Sequence, residues 1–324
     1  MTRPIRIAQI ADIHLGAALT GIESDDGAPV VDPVETAYLA FVRLLGAVHR
    51  ANVDGVVIAG DVFDRSVRSD RALQTFQCAL DEFHDAGLPT AIISGNHDVD
   101  AQLARRVRVA SSAQWLDDEE PHTVIWDQLG IALHGQSVGH HNEHRDLADG
   151  YPPPVAGLIN IGVLHTSLHG RWSRRDCAPT SLSTLERAGY DAWALGHVHQ
   201  RKRLATTPFI TYSGSVHARR PSETGGHGFV VLEFGAGNSV TPIDTAPVRY
   251  ETAAIAGPDP TDTEISNLRT QLSIAALAPE LVPELVVITV PDHTSETGIE
   301  QTRAAAAPYG NVLVRAKSIG VLQP

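Results

Sequence analysis

The stretch IRIAQIADIH, residues 5–14, sets an apolar, β-branched run directly against an aspartate and a histidine two positions apart. Such a run reads as a strand buried on both faces, as in a parallel sheet. Open α/β sheets bind ligands in the crevice beyond the carboxyl ends of their strands, so Asp12 and His14 stand where a site is expected. The pattern recurs four more times. Val56 to Ala59 leads into GDVFD with Asp61, and Thr90 to Ile93 into GNHD with Asn96 and His97. Ile159 to Leu164 leads into VLHTS with His165, and Ala192 to Leu195 into GHVH with His197 and His199. Five patches in this order, each after a strand, are expected to converge on one site rich in Asp, His and Asn.

Between the patches the period becomes helical. Asp32 to Ala51 carries Pro33 at a first-turn position and apolar residues at Leu39, Val42, Leu45 and Val48; its apolar face suits either core or a dimer contact. Ser69 to Ala86 has a Ser cap and a Gly87 stop. Strands alternating with such helices imply right-handed βαβ units. The polar stretch 135–154, with His140, His141 and His144 and a triple proline, reads as an exposed loop. From Phe209 to Phe234 short strands with turns suggest an antiparallel second layer. The Pro- and Ala-rich stretch 246–260 reads as a boundary. The expected domains are thus 1–246 and 247–324, the second a small α+β cap or assembly module with a helix–strand–helix–strand order.

At 324 residues, 43% hydrophobic and 19% charged, the chain is globular and long enough for about two domains. No apolar run reaches the ~20 residues a membrane helix needs, and residues 1–14 lack a signal-peptide core, so no membrane partner and a cytoplasmic location are expected. Cys78 and Cys177 form no C-x-x-C pair and read as a buried helix residue and a loop residue, as fits a reducing compartment. A net charge of −13 argues against a free-standing nucleic-acid binder. Arginines nevertheless cluster behind the patches. Arg65, Arg174, Arg201 and Arg219 are the candidates for a basic rim that binds substrate.

Carboxylate and amide oxygens mixed with imidazoles suit Mn²⁺, Fe²⁺ or Zn²⁺ better than Ca²⁺, and the absence of thiolate motifs removes the case for a structural zinc site. Two ions about 3.5 to 4 Å apart would clamp a phosphate and activate water, which makes phosphoester hydrolysis the natural chemistry. His97, flanked by Asn96 and Asp98, is placed to protonate the leaving oxygen, with Asp98 expected to hold its ring in the useful tautomer.

D-x-H, G-D-x-x-D, G-N-H-D, a lone H and G-H-x-H resemble the calcineurin-like metallophosphoesterases over residues 5 to about 234. The resemblance implies a four-layer α/β/β/α sandwich. It also implies that Asp12, His14, Asp61 and His199 hold one ion, and Asp61, Asn96, His165 and His197 the other. The full GDVFDR, the HLG from His14, and YSGS followed by SETGGHGF resemble the bacterial SbcD and YhaO-like DNA repair exonucleases. That branch implies a Mn²⁺-dependent nuclease acting on DNA, a homodimer, and an SMC-like ATPase partner of the SbcC type. The alternative keeps the chemistry but takes a small diester, a cyclic nucleotide or a phospholipid headgroup. A non-catalytic scaffold predicts missing ligands, and none is missing.

Overall fold

The computed structural model describes residues 3–24, 26–101, 103–168, 176–273 and 282–316. In chain order the elements begin β1 (Ile5–Ile10), α1 (Pro33–Arg50), β2 (Gly55–Ala59), α2 (Asp70–Asp85), β3 (Thr90–Ile93), α3 (Asn96–Ala101) and β4 (Ala113–Trp115). They continue with β5 (His122–Trp126), β6 (Ile131–Gly135), β7 (Ile159–His165), α4 (Leu182–Arg187), β8 (Ala192–Gly196), β9 (Lys202–Thr206) and β10 (Phe209–Tyr212). β11 (Gly228–Phe234), β12 (Ser239–Asp244), β13 (Val248–Thr252), α5 (Asp262–Ser273), β14 (Leu285–Val290), α6 (Glu296–Ala306) and β15 (Asn311–Ala316) follow. The expected strands at all five patches and the two expected helices are present. α2 is capped as its sequence requires: Ser69 accepts from the Arg71 N–H, and Gly87 takes positive φ after the last turn.

The chain divides into two compact units, 1–17, 44–216 and 228–243 against 18–43, 217–227 and 244–324. Sequence patterning alone keeps 18–43 and 217–227 in the first domain, which the packing does not. In the first unit, one sheet has the order β12-β11-β1-β2-β3-β4 and the other β5-β6-β7-β8-β10-β9. β1 to β4 are parallel, as are β6, β7, β8 and β10. The 209–234 segment is therefore not a separate antiparallel layer. β10 joins the second sheet parallel to β8, whereas β11 joins the first sheet antiparallel to β1.

The sheets face one another through one apolar core that takes Ile7, Val57 and Ile93 from one side and Leu133, Val163 and Ala194 from the other. Strand alternation divides each buried strand between two cores. On β8, Ala192 and Ala194 face the sandwich, while Trp193 and Leu195 join Leu185 of α4 on the outer face. On the opposite outer face, Phe76 of α2 makes edge contacts with Phe63 and Trp115 at ring separations of 5.6 and 6.1 Å. The layers are thus α, β, β, α. One polar tie crosses the sandwich beneath the strand ends. Buried Gln9 donates to the carbonyls of Leu195 (3.2 Å) and Thr211 (2.9 Å) and accepts from the Thr211 hydroxyl (2.6 Å).

The second unit holds the parallel sheet β13-β14-β15. Its expected helix–strand–helix–strand order is present, but β13 lies inside the stretch read as a boundary. Val286, Ile288 and Val290 face Leu268 and Leu272 of α5. Leu285 and Val287 pack with Leu19, Ile22, Ala37 and Ala218 on the other face, which is why 18–43 and 217–227 belong here. No helix among the described residues is long and apolar enough to cross a membrane.

Candidate metal centre

At three of the five patches the backbone bends sharply beyond the strand. Asp12, His14, Asp61 and His197 have φ of 50°, 45°, 53° and 95°, so four of the six non-glycine residues with positive φ among the described residues are sequence-predicted ligands. Such conformations cost about 1–3 kcal/mol each and persist where surrounding bonds over-determine them. Those bonds are present: Asp12 N–H donates to Gly60 O and His14 N–H to Asp61 O, both at 3.0 Å, and the His197 N–H donates to the Asp12 carboxylate at 3.0 Å.

The ligand atoms converge. Asp61 Oδ2 stands 3.7 Å from His14 Nε2 and 3.5 Å from His165 Nε2, the position of a bridging carboxylate. On one side of it, Asp12, His14 and His199 present ligand atoms within 4.8 Å of one another, with His14 Nε2 3.0 Å from His199 Nε2. On the other side, Asn96 Oδ1 lies 3.2 Å from both His165 Nε2 and His197 Nδ1. Glycine makes the approach feasible at Gly95 and Gly196. A Cβ on Gly95 would collide with Asp61, and one on Gly196 would lie 2.8 Å from His165 Nδ1 and against the Ala59 carbonyl.

The donor set fits cations. His165 Nδ1 is 2.9 Å from Ala59 O, so Nδ1 carries the proton and the buried Nε2 turns a lone pair toward the oxygens of Asn96 and Asp61. Lone pairs facing one another in a buried site call for a positive centre between them. His14 repeats the arrangement, its Nδ1 3.4 Å from Asp64 Oδ2 and its Nε2 facing inward. Burial pushes the Asp12 carboxyl up, against His165 and His199. Burial also works to raise Asp61, but His165, His14 and His97 outweigh it and hold the carboxylate well below its ordinary range.

His97 lies at the mouth with its side chain 19% exposed. Its expected partner is corrected. Asp98 accepts from the backbone N–H groups of Val62 (3.2 Å), Phe63 (2.8 Å) and Gly95 (2.9 Å), which pins the loop after β2 to the start of α3. His97 and Asp98 are consecutive on α3, and helical neighbours i and i+1 do not face each other. Asp64 is the partner instead: its Oδ2 lies 3.2 Å from His97 Nδ1. Burial opposes its ionisation, but the bonds with His14, His97 and Ser66 hold the Asp64 carboxylate far below the usual range. Burial and the charge of Asp61 push Asp98 up to about 7, against its three N–H donors.

The structure adds residues that the sequence pattern does not reveal. Cys177 is buried, its ligand atom within 4.8 Å of those of His165 and His197, so a thiol does reach the centre. Cys78 is exposed on α2 instead of buried. The 135–154 stretch is not a solvated loop throughout: Gln136, Ser137, Val138 and Glu143 are buried, and the His141 ring stands 6.2 Å from that of His97. Of the rim arginines, Arg65 meets His141 at 3.3 Å. Arg201 directs its guanidinium to the carbonyls of Ser213 and Ile243. Arg219 belongs to the second unit, where Thr20 and Glu223 hold its backbone. Arg174 lies outside the described residues.

The calcineurin-like phosphoesterase family pattern matches residues 5–201. The chain is 28% identical over 246 residues to the uncharacterized metallophosphoesterase YhaO of Bacillus subtilis, across 74% of this chain and 59% of that one. It is 26% identical over 265 residues to the DNA double-strand break repair protein Mre11 of Methanopyrus kandleri, across 73% and 55%. It is 24% identical over 258 residues to the D component of the nuclease SbcCD of Staphylococcus saprophyticus, across 68% and 63%. The matches thus span 55 to 63% of these relatives' lengths. With the family pattern covering more than half its length and the Asp/His clusters a dinuclear site requires at its strand ends, the chain belongs to the calcineurin-like phosphoesterases.

Proposed function

We propose that the protein is a two-metal phosphodiesterase that cleaves DNA. The observation that carries the chemistry is Asp61 Oδ2 set between His14 and His165 at 3.7 and 3.5 Å, with further ligands on each side. In this reading Asp12, His14, Asp61 and His199 hold one ion, and Asp61, Asn96, His165 and His197 the other; Mn²⁺ suits this donor set. When bound, the pair of ions lowers the pKa of a water and neutralises charge on the phosphate. Asp64 orients two imidazoles at once. It fixes His14 with Nε2 inward, and it holds His97 by Nδ1, leaving Nε2 to hand a proton to the departing oxygen. Asp98 acts through the backbone, by keeping the Gly95 and Val62 peptides in place.

Support for a DNA substrate comes from the relatives, of which two bear the names of a nuclease component and a double-strand break repair protein. A homodimer, an SMC-like ATPase partner and a cytoplasmic location belong to the same proposal. The net charge of −13 favours the second reading, a small diester, since it weakens attraction to a polyanion. The test is hydrolysis by the purified protein with added Mn²⁺ of end-labelled linear DNA, a cyclic nucleotide and bis-p-nitrophenyl phosphate, with His97→Ala as control. Loss of label from DNA, abolished in the variant, is expected. Turnover of the small esters alone would transfer the protein to the second reading.

A further inference from the structure

His141 reaches the rim of the metal centre on the segment after β6 and touches three groups. Its Nδ1 lies 3.0 Å from Asp100 Oδ2 and 3.2 Å from the Asn96 carbonyl oxygen, and its Nε2 lies 3.3 Å from the Arg65 guanidinium. A guanidinium has no acceptor, so Nε2 must carry the lone pair and Nδ1 the proton. His141 thus links a carboxylate to a cation. Arg65 makes no ion pair among the described residues, and this imidazole is the one polar contact of its guanidinium there, so its charge is not neutralised.

The placement separates Arg65 from the reacting phosphate. The rings of His14, His97 and His141 follow one another at centroid separations of 4.7 and 6.2 Å, with Arg65 beyond His141. A phosphodiester held at the ligands would lie against the inner end of this row. The exposed guanidinium stands at its outer end, where a strand would bring its next phosphate, a group that a small diester lacks. Holding a long arginine in one geometry beforehand removes rotamer freedom that substrate binding would otherwise have to remove.

We propose that Asp100, His141 and Arg65 form a preset clamp for a second phosphate, adjacent to the one cleaved, which makes an oligonucleotide the substrate class of this site; this rests on the phosphodiesterase reading above. Arg65 is the contacting residue, and His141 and Asp100 are positioning residues.

The test uses the full chain with Mn²⁺, single-stranded oligothymidylate ten nucleotides long, and bis-p-nitrophenyl phosphate. In Arg65→Ala and His141→Ala the KM for oligothymidylate rises about ten-fold with kcat largely kept, the loss expected for a hydrogen bond to a charged group. The slope of log KM against log salt falls by about one in Arg65→Ala. His141→Gln keeps one donor and one acceptor and restores the KM. Asp100→Asn, at a partly exposed position, shifts KM in the same direction as His141→Ala, and melting curves and Mn²⁺ content confirm that each variant is folded. Wild-type KM and salt slope in both alanine variants would overturn the clamp, as would an equal rise in KM for bis-p-nitrophenyl phosphate. Wild-type protein that turns over only the small diester overturns the clamp but leaves the two-metal chemistry standing. Wild-type protein that hydrolyses neither overturns the reading beneath it.

Discussion

Replacing Gly196 by alanine tests whether the strand ends must approach as closely as the ligand geometry demands. The glycine ends β8 where that strand passes the end of β2. An added methyl carbon would fall 2.8 Å from His165 Nδ1 and 3.1 Å from the Ala59 carbonyl carbon, and closer still to the Ala59 oxygen. Ordinary contact begins at 3.4 Å, so the backbone must part by about 0.6 Å at His165, the shortfall from 2.8 Å, and by more at the carbonyl. Neither neighbour yields easily, because Ala59 is backbone in a buried parallel strand and His165 is fully buried. The carbonyl under pressure is also the acceptor that fixes His165 Nδ1 at 2.9 Å. Overpacking of this kind costs about 1–3 kcal/mol, and disturbing the outer partner of a metal-binding imidazole costs about 10–100-fold in affinity. Calorimetric titration with Mn²⁺ should show the weaker binding step reduced at least about ten-fold. Thermal unfolding of the metal-free protein should begin a few degrees lower, about 2–10 °C. Wild-type affinity for both ions, with unchanged melting, would refute the close-approach argument.

His97→Ala should retain Mn²⁺ binding and lose about 10²–10⁴ in kcat, whereas Asp64→Asn should lower kcat and also weaken one ion, because Asp64 serves both His97 and His14; an Asp64→Asn protein with normal metal affinity removes its role at His14. His217 in the second unit gives a pH signature. Burial, with help from Arg219 and His227, pushes its imidazole down to about 4 from an ordinary 6.5. Its folded-state value is depressed, so the neutral form is favoured: the stability it contributes is intact above about pH 6.5 and lost as pH falls toward 4, about 3 kcal/mol in all. Urea unfolding at pH 7 and pH 4 should show this loss shrink in His217→Phe, and parallel losses in the two proteins would contradict it. Gln9→Leu should cost about 1–3 kcal/mol by leaving the buried Thr211 hydroxyl unpaired, and adding Thr211→Val should recover part of that; a double variant no more stable than the single one sinks the bookkeeping.

The centre is legible in the sequence because each patch combines two local signals, an apolar run that ends a strand and a ligand-type residue right after it. Sheet topology then does what the strand-end rule demands, bringing residues 12, 61, 96, 165, 197 and 199 together across both sheets. Asp64 stands in the GDVFD patch, but its partnership with His97 is made between the loop after β2 and the start of α3, and no spacing reveals it. Asp98 misleads because adjacency in sequence is not contact: consecutive helical residues point apart. Cys177 and His141 do not come directly after a strand. Their positions depend on loop-to-loop backbone bonds, such as Ser167 N–H to Cys177 O at 2.8 Å and Ala178 N–H to Glu143 O at 2.7 Å, which leave no local pattern. The second unit is half legible for the same reason. Its helices and strands after residue 260 carry their own periodicity, whereas 18–43 and 217–227 join it by packing on the far face of the sheet and by bonds such as Gly225 N–H to Tyr250 O and Tyr250 O–H to Thr20 O.

The most direct test of the central claim is metal stoichiometry measured together with turnover. Metal-free protein is titrated with Mn²⁺, and the bound ions per chain are counted against hydrolysis of bis-p-nitrophenyl phosphate, in the wild type and in Asp61→Asn. Two ions per chain, activity that appears only as both load, and loss of tight binding in Asp61→Asn are the predicted results. Full activity with one ion or none, or an Asp61→Asn protein that loads two ions and turns over normally, would contradict a centre built on Asp61 as the shared ligand.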